Sequence, residues 1–182
     1  MALLMNRHNA KMNRFALEQL GLEADDRVLE IGFGGGLNLP HLIAGAAFVG
    51  GVDRSSAMVR RAESRFRDAI STGSADFREG TVENIPFAAL SFDKVCTVNT
   101  IYFWHSLPAG FAEIYRVLAP GGRTAIGFLP KQHMERMRMA PDIFTMRDPE
   151  EVAGVLDRVG FSEIRIERPA ASTPWNVIVA NR

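Results

Sequence analysis

The stretch Val28-Leu29-Glu30-Ile31-Gly32-Phe33-Gly34-Gly35-Gly36 constrains this chain more than any other. A short apolar strand runs into a glycine turn, and the turn opens a helix that tolerates Pro40 in its first turn. Glycine takes positive φ without steric cost and lets a ligand approach the main chain closely. The helix that follows presents free N–H groups at its start. In a parallel α/β sheet, ligands bind at such a corner.

The rest of the sequence keeps the alternation of strand and helix that such a sheet needs. An amphipathic helix is expected over residues 9–20, with Met12, Phe15, Ala16 and Leu20 on one face and Gly21 as its stop. Strands are expected at 27–31, at 47–52 with Asp53 at its end, and at 75–79, 92–99, 123–128, 162–167 and 175–180. Ser55 or Ser56 starts a helix running to about Ile70. Phe111, Ile114, Tyr115 and Leu118 recur at helical spacing, and Pro120-Gly121-Gly122 ends that helix. Asp148 caps a later helix, with Pro149 at its first position and Glu151 at a capping-box position. Its buried face is Val152, Val155, Leu156 and Val159, and Gly160 closes it.

A chain of 182 residues suits one domain, here expected over 1–182 with residues 1–20 a helix covering the site. Lys+Arg and Asp+Glu both total 21, so the basic footprint of a nucleic-acid binder is missing. The cluster Arg54, Arg60, Arg61, Arg65 and Arg67 reads as a solvated helix face. One cysteine, Cys96 in an apolar run, allows no internal disulfide, and His8, His41, His105 and His133 match no metal spacing. No metal is expected. No apolar run approaches a membrane span, and Asn6, Arg7, His8 and Asn9 interrupt any signal core. The expectation is a cytoplasmic monomer or homodimer without membrane or nucleic-acid partners.

Two cofactor classes use a glycine turn after a first strand. A dinucleotide turn, G-x-G-x-x-G from Gly32, fails at Leu37. The chain instead fits E-x-G-x-G-x-G from Glu30 to Gly36. A carboxylate at Glu30 disfavours a pyrophosphate and favours an ammonium, which S-adenosylmethionine carries together with a sulfonium. Asp53, 23 residues after Glu30, is placed to accept both ribose hydroxyls. Its alternative role is a carboxylate before the next helix. In the ribose role, its removal should weaken the cofactor and leave the empty fold nearly unchanged.

With these motifs in order, the chain resembles the class I S-adenosylmethionine-dependent methyltransferases, of the group similar to ubiquinone/menaquinone C-methyltransferases. The resemblance covers residues 20–128. It implies a Rossmann-like three-layer sandwich with a seven-stranded, mostly parallel sheet whose last strand is antiparallel. It also implies a cofactor set of Glu30, Gly32, Phe33, Gly34, Asp53, Arg54, Met58, Thr81, Val82, Glu83 and Asn99. The stretch Gly80-Thr81-Val82-Glu83-Asn84-Ile85-Pro86-Phe87 corresponds to a family segment with Asp where Thr81 stands, which leaves the Val82 backbone to reach the adenine. The helix Glu113-Ile114-Tyr115-Arg116-Val117-Leu118-Ala119-Pro120-Gly121-Gly122 also resembles the family, in a structural role. The implied product is S-adenosylhomocysteine.

Methyl transfer from a sulfonium is an in-line displacement that depends on positioning and exclusion of water. The loop after the fourth strand, Asn99 to His105, is expected beside the methyl group. Tyr102, Trp104 and His105 are the expected catalytic residues: the rings to contact the sulfonium, with His105 and His133 the candidates for a general base. Otherwise Tyr102, Phe103 and Trp104 pack under the next helix, and His105 and His133 lie at the surface. Asn99-Thr100-Ile101-Tyr102 lacks the prolines of amino-methylating enzymes. Met5-Asn6 and Met12-Asn13 share a helix face, and Met134, Met137, Met139 and Met146 mark 130–146 as a second covering segment. The acceptor is expected to be a small molecule. A nicotinamide oxidoreductase and a S-adenosylmethionine-binding sensor without methyl transfer are the competing readings.

Overall fold

The computed structural model describes the backbone of residues 2–182 and the side chains of residues 9–182. The expectation for Met5 and Asn6 therefore lies outside the described side chains. In chain order the elements are α1 (Ala2–Leu20), β1 (Arg27–Ile31), α2 (Leu39–Gly45), β2 (Phe48–Asp53), α3 (Ser56–Arg65), α4 (Arg67–Ser71), β3 (Ala75–Glu79) and β4 (Phe92–Val98). A 3-10 turn (Ile101–Phe103) follows, then α5 (Leu107–Val117), β5 (Leu118–Phe128), α6 (Lys131–Arg136), α7 (Pro149–Val159), β6 (Ser162–Glu167) and β7 (Asn176–Asn181).

The seven strands form one sheet in the order β3-β2-β1-β4-β5-β7-β6. β1 to β5 pair in parallel, and β7 runs antiparallel to both β5 and β6. This is the expected Rossmann-like sandwich. The two-residue period of the strands sorts their side chains onto two faces. Leu29, Val95, Ile126 and Ile178 meet Phe111 and Ile114 of α5 and Val152 and Leu156 of α7. Val28, Cys96, Ala125 and Val177 meet Met12 and Leu20 of α1, Leu39 of α2 and Val59 of α3. Both faces of the sheet are covered, as a mostly parallel sheet requires. Burial, and secondarily the charge of Glu30, pushes the Cys96 thiol up.

Several boundaries differ from the sequence expectation for local reasons. The helix expected up to Ile70 breaks at Phe66, whose φ of −113° is not helical. Pro120-Gly121-Gly122 does not end α5; the helix stops at Val117 and the three residues lie inside β5. Asp148 occupies the cap position of α7, but its side chain makes no capping hydrogen bond. The segment between β5 and α7 contains the short α6, with Met134 buried.

Candidate active site

β1, β2 and β4 end side by side, so their carboxyl ends open onto a common crevice. A cavity of about 260 Å³ lies there. Gly32 forms one wall, Asp53 and Arg54 a second, Thr81 to Glu83 a third, and Asn99, Thr100, Phe103, Trp104 and His105 the rest.

Gly32 has φ +70°, and a Cβ on it would stand 2.4 Å from Thr100 Cγ2. Only glycine lets the loop after β4 come this close to the turn. That loop is tied down by directed bonds. Trp104 Nε1 donates to Thr100 Oγ1 at 3.1 Å, Thr100 Oγ1 bonds Thr97 Oγ1, and Thr97 Oγ1 donates to the Ile31 carbonyl at 3.0 Å.

Glu30 sits behind the turn, 5% exposed. Its Oε1 accepts from Asn38 Nδ2 at 2.8 Å, and its buried Oε2 has no partner among the described residues. Burial is the main reason its carboxyl is pushed up to about 8; the Asn38 bond works against this, and the Asp53 charge adds to it. A buried acceptor without a donor costs free energy, about 1–3 kcal/mol or more for a charged group. A ligand ammonium would offset that cost.

Asp53 bridges two loops. Its Oδ2 accepts from the Gly34 amide at 2.8 Å and its Oδ1 from the Ser55 amide at 2.9 Å. Ser55 Oγ in turn caps α3 by accepting from the Met58 amide. Asp53 therefore ties the two loops together as well as facing the cavity, and these two bonds argue against the expectation that its removal leaves the empty fold nearly unchanged.

The wall at Thr81 to Glu83 is held from beneath by α5. Arg116 donates to the carbonyls of Phe87 and Ile85, both at 2.9 Å, and Glu113 Oε2 accepts from the Ile85 amide at 2.9 Å. Arg116 beside it is the first cause of the lowered Glu113 carboxyl. Val82 is buried and Thr81 exposed. Glu83 spends Oε1 on the amides of His105 and Ser106, at 2.8 and 3.4 Å, and so pins the entry to α5.

The three rings after Thr100 have different surroundings. Tyr102 is buried, donates to Asn99 Oδ1 at 3.2 Å and accepts from the Leu129 amide. Burial pushes its hydroxyl up. Trp104 is buried, packs on Phe111 with centroids 5.2 Å apart, and lines the cavity. Phe103 is 39% exposed on the cavity, with the Arg54 guanidinium 5.3 Å from its ring centre and Phe144 at 5.4 Å. His105 is exposed on the cavity rim.

Of the expected site residues, Gly32, Asp53, Arg54, Thr81, Val82, Glu83, Asn99, Trp104 and His105 surround the cavity. Tyr102 does not line it. Phe33 turns its ring into the core, 5.6 Å from Phe77, and Met58 packs half-buried against the apolar cluster beneath α3. Gly34 lines a separate small pocket with Leu39 and Phe66. Phe103, Thr100 and Asn38 were missed. Phe103 stood between two favoured rings with nothing in the sequence to separate them. The Asn38 signal, a carboxamide eight residues after a buried glutamate, has meaning only once the turn is folded.

Residues 29–126 match the family model described as a methyltransferase domain. The uncharacterized methyltransferase YdaC of Bacillus subtilis is 32% identical over 131 residues, covering 71% of this chain and 70% of that protein. The ubiquinone/menaquinone biosynthesis C-methyltransferase UbiE of Geotalea daltonii is 29% identical over 116 residues, 62% of this chain, which spans 49% of that relative's length. A geranyl diphosphate methyltransferase solved in complex with S-adenosylmethionine shares the fold, with a TM-score of 0.75 at 16% identity over 95% of this chain and 85% of that one. The family match covers more than half of the chain and runs from β1, before the glycine turn, into β5. On that match and that sheet, the chain belongs to the class I S-adenosylmethionine-dependent methyltransferases.

Proposed function

We propose that this methyltransferase acts in the cytoplasm on a small apolar acceptor held against Phe103 and Trp104. The residues present fit the cofactor. Glu30 Oε2 takes the ammonium, Asp53 the ribose hydroxyls, and the Thr81–Val82 backbone the adenine edge. When bound, S-adenosylmethionine would supply an electrophilic methyl carbon: the acceptor's bond to that carbon would form in line as the carbon–sulfur bond breaks, leaving S-adenosylhomocysteine. The chain's own contribution is to position the acceptor and exclude water.

The observation that carries the acceptor reading is the half-exposed Phe103 ring at the cavity. Its ring packs beside Phe144, which belongs to an apolar cluster with the partly buried Met139 and Met146. Methionine and aromatic surfaces suit varied apolar shapes. His105 on the rim is placed to accept a proton from the acceptor, whereas the Tyr102 hydroxyl is committed to Asn99 and Leu129. No helix among the described residues is long and apolar enough to cross a membrane.

The test is transfer of labelled methyl to a panel of small phenols, quinols, amines and fatty acids, compared with protein and RNA. Label in an apolar small molecule supports the reading. Tight S-adenosylhomocysteine binding with label in none of them would favour the sensor reading, and label confined to macromolecules would reject the acceptor class.

A further inference from the structure

α1 does more than cover one face of the sheet. Asn38 Nδ2 carries two hydrogens, and both are used: one on Glu30 Oε1 at 2.8 Å, the other on Asn13 Oδ1 of α1 at 2.7 Å. Asn13 Nδ2 donates to the Asn9 carbonyl at 2.7 Å, one turn earlier on the same helix. Asn9 Oδ1 accepts from Asn99 Nδ2 at 3.1 Å, and Asn99 Oδ1 accepts from Tyr102 at 3.2 Å. Asn99 also stands at φ +59°, the left-handed region that asparagine enters more readily than most other non-glycine residues, where the chain turns out of β4. One helix face thus reaches the carboxylate behind the glycine turn through Asn38, and bonds Asn99 at the root of the aromatic loop directly.

We propose that Asn9 and Asn13 are positioning residues that make α1 a clamp, linking Glu30 on the cofactor side to Asn99 and Tyr102 on the acceptor side. The Asn38–Asn13 bond fixes which oxygen of Glu30 is left for a ligand. A ligand cation on that oxygen tightens the arm to α1, and the Asn9–Asn99 bond passes the restraint to the loop carrying Phe103. The inference rests on the assignment of the cofactor ammonium to Glu30.

S-adenosylhomocysteine is the probe, with affinity read by calorimetry and local order by amide hydrogen exchange. The variants are Asn13→Ala, Asn13→Leu, Asn9→Ala, Glu30→Gln and, as an exposed α1 control, Lys11→Ala. Asn13→Leu removes the hydrogen-bonding groups while keeping a γ-branched side chain and raising helix propensity, so a loss of affinity in it does not come from a weakened helix. Expected are a tenfold or greater loss of affinity in both Asn13 variants and wild-type binding in Lys11→Ala. In Asn9→Ala, affinity stays within about threefold, but the ligand no longer slows exchange over residues 99–104. A folded Asn13→Leu protein with wild-type affinity overturns the clamp. So does Asn9→Ala retaining ligand-induced protection of residues 99–104. If Glu30→Gln binds as the wild type does, the Glu30 assignment itself falls and the clamp with it; if Glu30→Gln loses affinity while Asn13→Leu does not, only the clamp falls.

Discussion

The Gly34 amide donates to Asp53 Oδ2 at 2.8 Å, joining the glycine turn after β1 to the end of β2. With Ser55 on the other oxygen, Asp53 anchors two loops before any ribose arrives. An ionised carboxylate offers about four acceptor sites, so two remain for hydroxyls. Asp53→Ala should therefore lower the melting temperature of the empty protein, by a stability loss of ~1–3 kcal/mol, and also weaken cofactor binding by ~2–4 kcal/mol. Melting scans and calorimetry on one preparation test both. Unchanged melting would remove the anchoring role, and unchanged affinity the ribose role.

Glu30 makes folding pH-dependent in a stated direction. Its carboxyl lies at about 8 in the fold against 4.5 in the ordinary state. Between those values the folded protein holds a proton that the unfolded chain has lost. Its contribution to stability is thus full below about 4.5 and is lost as pH rises through about 8, with a slope of at most ~1.4 kcal/mol per pH unit. Denaturant titrations of wild type and Glu30→Gln at pH 5, 6.5 and 8 isolate this term, and the glutamine variant should gain relative stability as pH rises. At pH 7, binding a cationic amine should also release close to one proton, visible as a buffer-dependent heat that Glu30→Gln abolishes.

Phe103 and Trp104 should separate when truncated. Phe103 is partly exposed on the cavity, so Phe103→Ala should cost ~1 kcal/mol or less in stability, as surface changes do, and lower turnover at least tenfold with cofactor affinity unchanged. Trp104 fills space against Gly110 and Phe111, and Trp104→Ala should cost ~3–5 kcal/mol. Normal turnover in folded Phe103→Ala would place the acceptor elsewhere.

Arg116 supports a wall of the cavity without touching it. Its guanidinium spans the carbonyls of Ile85 and Phe87 and the Glu113 carboxylate. Arg116→Met should lose ~1–3 kcal/mol of stability, as expected when partly exposed charge-assisted bonds are removed. It should also weaken S-adenosylhomocysteine several-fold, because the Thr81–Glu83 segment is no longer braced from below. Calorimetry showing full affinity in a destabilised variant would confine Arg116 to folding.

The sequence revealed what depends on short-range order. Glu30, Gly32 and Asp53 stand on one strand–turn–helix–strand unit, and their spacing alone brings them near one another. β6 was read to the residue, because its Ser162–Glu167 span is bounded by Gly160 and by Pro169. Three kinds of feature were not legible. The break at Phe66 coincides with its ring packing on Phe77, a tertiary contact that helix propensity does not contain. Tyr102 and Phe103 diverge because they are consecutive in a 3-10 turn, where side chains step by about 120°, and Trp104 leaves the turn in extended backbone. The Asn9–Asn99 bond joins residues that only the finished sheet brings together.

The placement of α1 has a consequence for synthesis. It precedes every strand, yet the strands it packs on are β4, β5 and β7, the last of which closes the described chain. Its stripe of Met12, Ala16 and Leu20 is not fully covered until β7 has left the ribosome and paired with β5. During translation this helix is an unmatched greasy surface on a nascent chain, the kind of segment that chaperones shield. The fold thus closes on itself late: α1 gains its full seat only when β7 arrives, after the strands that build the cofactor corner.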